Sequence, residues 1–214
     1  VPLGYDPDLF SVQSPEKRAK TRADLGLTHP TVAYFGRLVP EKGVHVLIEA
    51  LAQLQDLPWH FLIDQFSASG GGYAEDVARQ LEARGLTDRV VYFESRHEDM
   101  ADFMNASDLV VLPSVSTEKW KEQYGRVIQE AQACGRIVIG STSGAIPETM
   151  DGQGHLFAEG DADALAALLR DLLDKGIFAD PEAALSARAN RSIQRQADLL
   201  EAYLEKNDTS GKSA

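Results

Sequence analysis

The sequence predicts an α/β fold, a Rossmann-like doubly wound parallel sheet. Two patterns predict it. Short runs of apolar and β-branched residues alternate along the chain with longer stretches whose apolar residues recur at helical spacing. Strand–helix alternation of this kind implies a parallel sheet covered on both faces. Composition is the third observation. The chain has 214 residues, 43% apolar and 25% charged, enough for a sizeable core without covalent staples.

The elements follow in order. Residues 1–30 read as irregular chain with one short helix at 15–25. Residues 31–35, Thr-Val-Ala-Tyr-Phe, are a buried strand bounded by Gly36. Val44, Leu47, Ile48, Leu51 and Leu54 place a helix over 43–54. The alternation then repeats. Strands are expected at 59–63, 89–93, 109–112, 137–140 and 155–157. Helices are expected at 73–84, 98–105, 125–134 and 162–173, with a helical turn at 146–150. Residues 181–204 read as helix broken near Asn190. The polar tail at 206–214 is expected to be disordered.

Several function classes are set aside. A single cysteine, Cys134, excludes an internal disulfide and suits a reducing compartment. No apolar run approaches the ~20 residues that span a bilayer. The net charge of −12 argues against nucleic acid or anionic lipid as the main partner. The opening Val1-Pro2-Leu3-Gly4-Tyr5 lacks an initiator Met and a signal-peptide pattern, so an excised cytoplasmic fragment is expected. The histidines at 29, 45, 60, 97 and 155 do not pair at metal-ligand spacing, so no metal site is expected. No cofactor is expected either.

Parallel sheets bind ligands beyond the carboxyl ends of their strands. Four loops there carry candidate chemistry. The first is Gly36-Arg37-Leu38-Val39-Pro40-Glu41-Lys42-Gly43. Gly36 permits a sharp turn, and Arg37 and Lys42 bring fixed cations suited to phosphate. A solvated turn with an ion pair to Glu41 fits the same residues. The second loop runs from Glu118 through Glu122, Tyr124 and Gly125 into a helix carrying Arg126, Val127 and Glu130. Unpaired amides at a helix start attract anions. Glu122 and Glu130, seven residues between them, can accept hydrogen bonds from sugar hydroxyls. An acidic residue favouring the helix dipole and an ordinary helical Glu fit equally. Small neighbours around Glu130 predict a partly buried carboxylate, which needs partners. The third loop, Ser67 to Tyr73, is rich in glycine but matches no phosphate fingerprint and reads as a flexible connection. The fourth, Ser141-Thr142-Ser143-Gly144-Ala145-Ile146-Pro147-Glu148, lets backbone approach a ligand closely, or is a plain turn with a helix cap. His97 either lines a base pocket or is merely half-exposed.

Taken together, three segments resemble the retaining glycosyltransferases of family four, which have two Rossmann-like domains in the arrangement called GT-B. The segments are 36–43, 122–131 and 141–148, in the family's order and separation. The resemblance covers residues 1 to about 173 and is to the C-terminal, donor-binding domain. It implies that residues 1–30 are linker and first helix from the interdomain region, that 31–175 bind a nucleotide sugar, that 176–205 are C-terminal helices, and that an N-terminal acceptor domain is missing.

The resemblance also implies roles. Arg37 and Lys42 bind the donor diphosphate, with Gly36 shaping their loop, and stabilise charge on the leaving group. Glu130 binds ribose, and Glu122 contacts the transferred sugar near its reacting face. Backbone groups at Tyr124, Gly125, Arg126 and Val127 hold diphosphate and sugar. The loop at Glu94, Ser95, Arg96 and His97 flanks the nucleobase. Catalytic duty falls on Glu122, Arg37 and Lys42, without a metal. The substrate class is a nucleotide-diphosphate sugar, transferred to a glycan or lipid-linked acceptor. Residues 120–126 look most like members that build bacterial surface polysaccharides, which places the full-length protein at the inner membrane surface. One departure stands out. Relatives carry a Gly-x-Gly turn where this chain reads Asp64-Gln65-Phe66-Ser67. Two other readings keep the fold: a nucleotide-sugar epimerase, and a non-catalytic nucleotide-binding module. A dinucleotide dehydrogenase is disfavoured because the glycine fingerprint is missing after the first strand.

Overall fold

The computed structural model describes residues 3–64, 72–94 and 96–208. Most of the glycine-rich loop, the departing Gly-x-Gly position after Asp64, Ser95 and the last six residues of the expected tail lie outside the described residues.

Six parallel strands form one sheet in the order β3-β2-β1-β4-β5-β6. They are β1 (Thr31–Tyr34), β2 (His60–Asp64), β3 (Val90–Phe93), β4 (Leu109–Leu112), β5 (Ile137–Ser141) and β6 (His155–Phe157). Their apolar runs are explained by burial on both faces. Successive side chains of a strand point to opposite sides. Val32 and Tyr34, Phe61 and Ile63, and Leu109 and Val111 face one core. Ala33, Leu62, Val110 and Val138 face the other.

Helices cover both sides. The first core is closed by α2 (Val44–Ala52), α3 (Gly72–Ala83) and α7 (Ala162–Lys175). The second is closed by α4 (Met100–Ala106), α5 (Arg126–Ala133) and α6 (Ile146–Met150). Helix α1 (Pro15–Asp24) packs on α4. Its start was legible: Ser14 caps it by accepting from Lys17 N, and Pro15 fits a first-turn position. Helix α7 begins on the Asp161 cap and ends at Gly176 with φ 64°.

The start of the chain is not a loose loop. Tyr5 and Phe10 are buried. Tyr5 forms an isolated parallel bridge with Ser192, between α8 (Pro181–Asn190) and α9 (Ile193–Asp208). The bridge uses Tyr5 N to Arg191 O at 3.1 Å and Ile193 N to Tyr5 O at 2.9 Å. The break near Asn190 falls at that bridge. Helix α9 continues through Asp208, so residues 206–208, expected in the tail, are helical. Glu205 and Lys206 are good helix formers.

The chain order places β1 and β4 side by side, with β2 and β3 beyond one and β5 and β6 beyond the other. Crossovers therefore leave in opposite directions between β1 and β4. The crevice past their carboxyl ends is the switch point, where ligands bind in open sheets of this type.

Candidate functional site

The loop after β1 is shaped by its own backbone. Gly36 has φ 154°, and Tyr34 Oη donates to Arg37 O at 2.7 Å, drawing the loop back over the strand. Burial pushes the Tyr34 phenol well above its ordinary value, with Tyr73 and Glu122 adding to the shift, so it stays a neutral donor. Residues Pro40–Lys42 form a single 3-10 turn ending at Gly43, which has φ 69°. A Cβ on Gly43 would lie 1.8 Å from Pro113 O. This glycine lets the loop after β1 touch the loop after β4. Val115 N donates to Glu41 O at 2.8 Å and fastens the two.

Those loops hold a part-buried ion pair. Lys42 Nζ lies 2.6 Å from Glu122 Oε2, and the Glu122 side chain is only 8% exposed. Ser114 Oγ donates to the same oxygen at 3.0 Å. The Lys42 ammonium also sits 5.1 Å from the ring centre of Trp120, a cation–π distance. The alternative pairing to Glu41 is not found among the described residues; the partner of Lys42 is Glu122.

The fourth loop supports this arrangement from behind. A Cβ on Gly144 would lie 2.1 Å from Glu122 O, and Ala145 N donates to that oxygen at 2.9 Å. Ser141 Oγ donates to Ser114 O at 2.6 Å. The small residues here admit the backbone of Glu122.

Gly125, with φ 74°, turns the chain into α5. Arg126 is exposed on the first turn, and Glu130, one turn on, is half-buried as the sequence predicted. Gly36, Arg37, Lys42, Glu122, Tyr124, Gly125, Arg126, Val127 and Glu130 line one cavity of about 340 Å³. It lies at the carboxyl ends of β1 and β4, which contribute Tyr34 and Leu112 to its wall.

Arg96, expected beside a nucleobase, is not among the residues that line this cavity. The Arg96 side chain is 84% exposed and lies 3.8 Å from Glu98. It lines a separate depression with Asp6, Asp8 and Leu9. His97 opens a 3-10 turn at His97–Asp99. Ser95 lies outside the described residues. No group of three or more His, Cys, Asp or Glu able to hold a metal occurs among the described residues.

Sequence reasoning missed Ser114, Trp120, Tyr34 and Leu3. Leu3 lines the cavity, and its carbonyl accepts from Tyr124 Oη at 2.7 Å. Ser114 had a usable signal, since it stands two residues past a predicted strand on the ligand side of the sheet.

Comparison with known proteins follows the same lines. Residues 29–175 match the family described as Glycosyl transferases group 1. The chain belongs to that family. Among similar curated proteins is a GDP-mannose-dependent monoacylated alpha-(1-6)-phosphatidylinositol monomannoside mannosyltransferase of Corynebacterium glutamicum. It is 36% identical over 183 residues, 83% of this chain and 47% of the relative. A D-inositol 3-phosphate glycosyltransferase of Corynebacterium jeikeium is 32% identical over 225 residues, 99% of this chain and 52% of the relative. The chain thus spans about half the length of these relatives.

Solved structures agree. Sucrose-phosphate synthase of Thermosynechococcus elongatus superposes with a TM-score of 0.82 at 26% identity, over 98% of this chain and 52% of that one. Anabaena HepE, in complex with UDP and glucose, superposes with a TM-score of 0.77 at 29% identity, over 93% of this chain and 55% of that one. The C-terminal domain of a Francisella tularensis group 1 protein superposes with a TM-score of 0.73 at 22% identity, over 89% of this chain and 100% of that one. The group 1 chain therefore has the fold of the C-terminal half of GT-B glycosyltransferases.

Proposed function

We propose that this group 1 domain binds a nucleotide-diphosphate sugar in the cavity between β1 and β4 and supplies the donor half of a retaining glycosyl transfer. One observation carries the reading. Three cations (Arg37, Lys42 and Arg126), a helix N-terminus and two carboxylates converge on a single cavity at the switch point of the sheet.

The chemistry matches the donor's parts. Arg37 and Lys42 face the cavity beside the start of α5, where unpaired amides and the helix dipole favour negative charge. A diphosphate seated there meets positive groups from two sides. As the glycosidic bond to phosphate breaks, the departing diphosphate gains charge, and these groups stabilise it without a metal. Glu130, one turn into α5, accepts from ribose hydroxyls. Glu122 is held by Ser114 Oγ and Lys42 at the inner end of the cavity and faces the sugar. Relatives support the substrate class. One is named for GDP-mannose, and HepE was solved with UDP and glucose.

In this reading, residues 31–175 are the donor unit, with linker and C-terminal helices around it. The partner is an acceptor-binding domain of the full-length protein, and the acceptor is a glycan or a lipid-linked sugar in surface polysaccharide assembly. No helix among the described residues is long and apolar enough to cross a membrane. The proposed place of the full-length enzyme is the cytoplasm, at the inner membrane surface. The isolated chain binds donor and turns over poorly.

Calorimetric titration with UDP, GDP and ADP tests this. One nucleotide binds saturably, and Arg37→Ala or Glu130→Ala weakens it about tenfold to a hundredfold, the worth of a charge-assisted contact. Absence of binding by the folded chain at millimolar nucleotide would overturn the proposal.

A further inference from the structure

Lys42 has two partners that a diphosphate must compete with, Glu122 Oε2 at 2.6 Å and the Trp120 ring at 5.1 Å. The ammonium is already committed, with its side chain 21% exposed. A carboxylate as buried as that of Glu122 needs compensation. Lys42 supplies the charge and Ser114 Oγ one further hydrogen bond.

We propose that donor binding works by counter-ion exchange: the incoming diphosphate draws Lys42 away from Glu122, leaving a negative carboxylate facing the sugar only when a donor is seated. Trp120 is a positioning residue that holds the ammonium beside Glu122 until the exchange. The proposal rests on the donor-site reading above and adds a regulation of that site. An ammonium is a point charge on a flexible stem, so one lysine can leave a carboxylate and reach a phosphate oxygen by rotation of its own side chain. Arg37, on the exposed side of the same loop, is the group that meets the diphosphate first. The exchange costs binding energy, because an ion pair in a half-buried setting must be opened. It also couples two events. The group beside the reacting carbon becomes uncompensated only in the presence of the leaving group that Lys42 then neutralises.

The exchange makes an unusual demand on Glu122. If Glu122 competes with the diphosphate for Lys42, removing its charge strengthens binding of a nucleoside diphosphate that carries no sugar. The test is UDP and GDP titration of the native chain and of Glu122→Gln, with circular dichroism to establish that the variant is folded. The expected result is binding of the preferred nucleotide on the order of tenfold tighter to Glu122→Gln. Unchanged or weaker binding by the folded variant overturns the exchange while leaving the donor site standing. No binding of either nucleotide to either protein overturns the donor-site reading, and the exchange with it.

A second measurement does not need the variant. The chain has two tryptophans. Trp59 is buried at the amino end of β2, with the Arg89 guanidinium 4.6 Å from its ring centre. With Trp59→Phe, emission reports Trp120 alone. Nucleotide is expected to change that emission with the same midpoint as the calorimetric titration, and Lys42→Met is expected to abolish the change. Nucleotide binding without any change in Trp120 emission contradicts departure of the ammonium from the ring.

Discussion

Gly43→Ala is the substitution that most sharply tests how the site is assembled. Gly43 has φ 69°, a conformation that costs an L-residue about 1–2 kcal/mol. Gly26 has nearly the same φ, 68°. The two differ in what a Cβ would meet. At Gly26 nothing lies within 4 Å, whereas at Gly43 the new atom would fall 1.8 Å from Pro113 O and 2.8 Å from Pro113 C. Backbone cannot swing aside as a side chain can, so relief requires parting the loops after β1 and β4. Overpacking of that kind costs about a further 1–3 kcal/mol. Gly43→Ala is therefore expected to lose about 2–5 kcal/mol and Gly26→Ala about 1–2 kcal/mol. In a chain of this length that is a drop in Tm of about 4–20 °C for Gly43→Ala, against a few degrees for Gly26→Ala. Denaturant unfolding of both variants measures the difference. Because Lys42 precedes Gly43, surviving folded Gly43→Ala also binds nucleotide more weakly. Equal stability of the two variants would mean that contact between the loops is not what Gly43 serves.

Other perturbations have equally definite outcomes. Asp108 accepts from Arg18 at 2.5 Å, from Arg22 at 3.0 Å and from Thr31 N at 2.8 Å, with its side chain 5% exposed. Asp108→Asn leaves two guanidinium groups without their carboxylate, and a loss of about 3–5 kcal/mol is expected in denaturant unfolding. Burial pushes the Cys134 thiol up from its usual value of 9.0 to about 12. Between those values the unfolded chain has released the thiol proton and the folded chain has not, so stability falls as pH rises above 9. Cys134→Ala is expected to flatten that part of the stability profile, and a thiol reagent at pH 8 should label the native chain only as fast as it unfolds.

The fold was legible because its signals are local. An apolar run of four or five residues, with both core faces served by alternate side chains, marks β1, β2 and β4 without any tertiary knowledge. Ser14 and Pro15, or Asp161 and Gly176, punctuate α1 and α7 within one turn of their ends. The cavity loops were legible as segments, since Gly36 stands where β1 gives way to a charged turn and Gly125 where a charged loop gives way to α5. The pairing inside the site was not. Lys42 and Glu122 are 80 residues apart, and only the placement of β1 beside β4 joins them. The sequence offered Glu41 as the nearer partner, and proximity in the chain was the wrong guide. Gly144 lies against the Glu122 backbone, another contact between residues far apart in the chain. The bridge of Tyr5 to Ser192 spans almost the whole chain and leaves no periodic trace.

Binding of the donor at the carboxyl ends of β1 and β4 is the proposal on which the others rest. Its most direct test is a titration of the isotopically labelled chain with the preferred nucleoside diphosphate, followed by amide resonances. The amides of Gly36, Arg37, Gly125, Arg126 and Val127 are expected to shift together and saturate with one affinity, while those around Asp108, at the opposite ends of β1 and β4, stay in place. Saturable shifts centred anywhere else, with these amides unmoved, would contradict donor binding in this cavity.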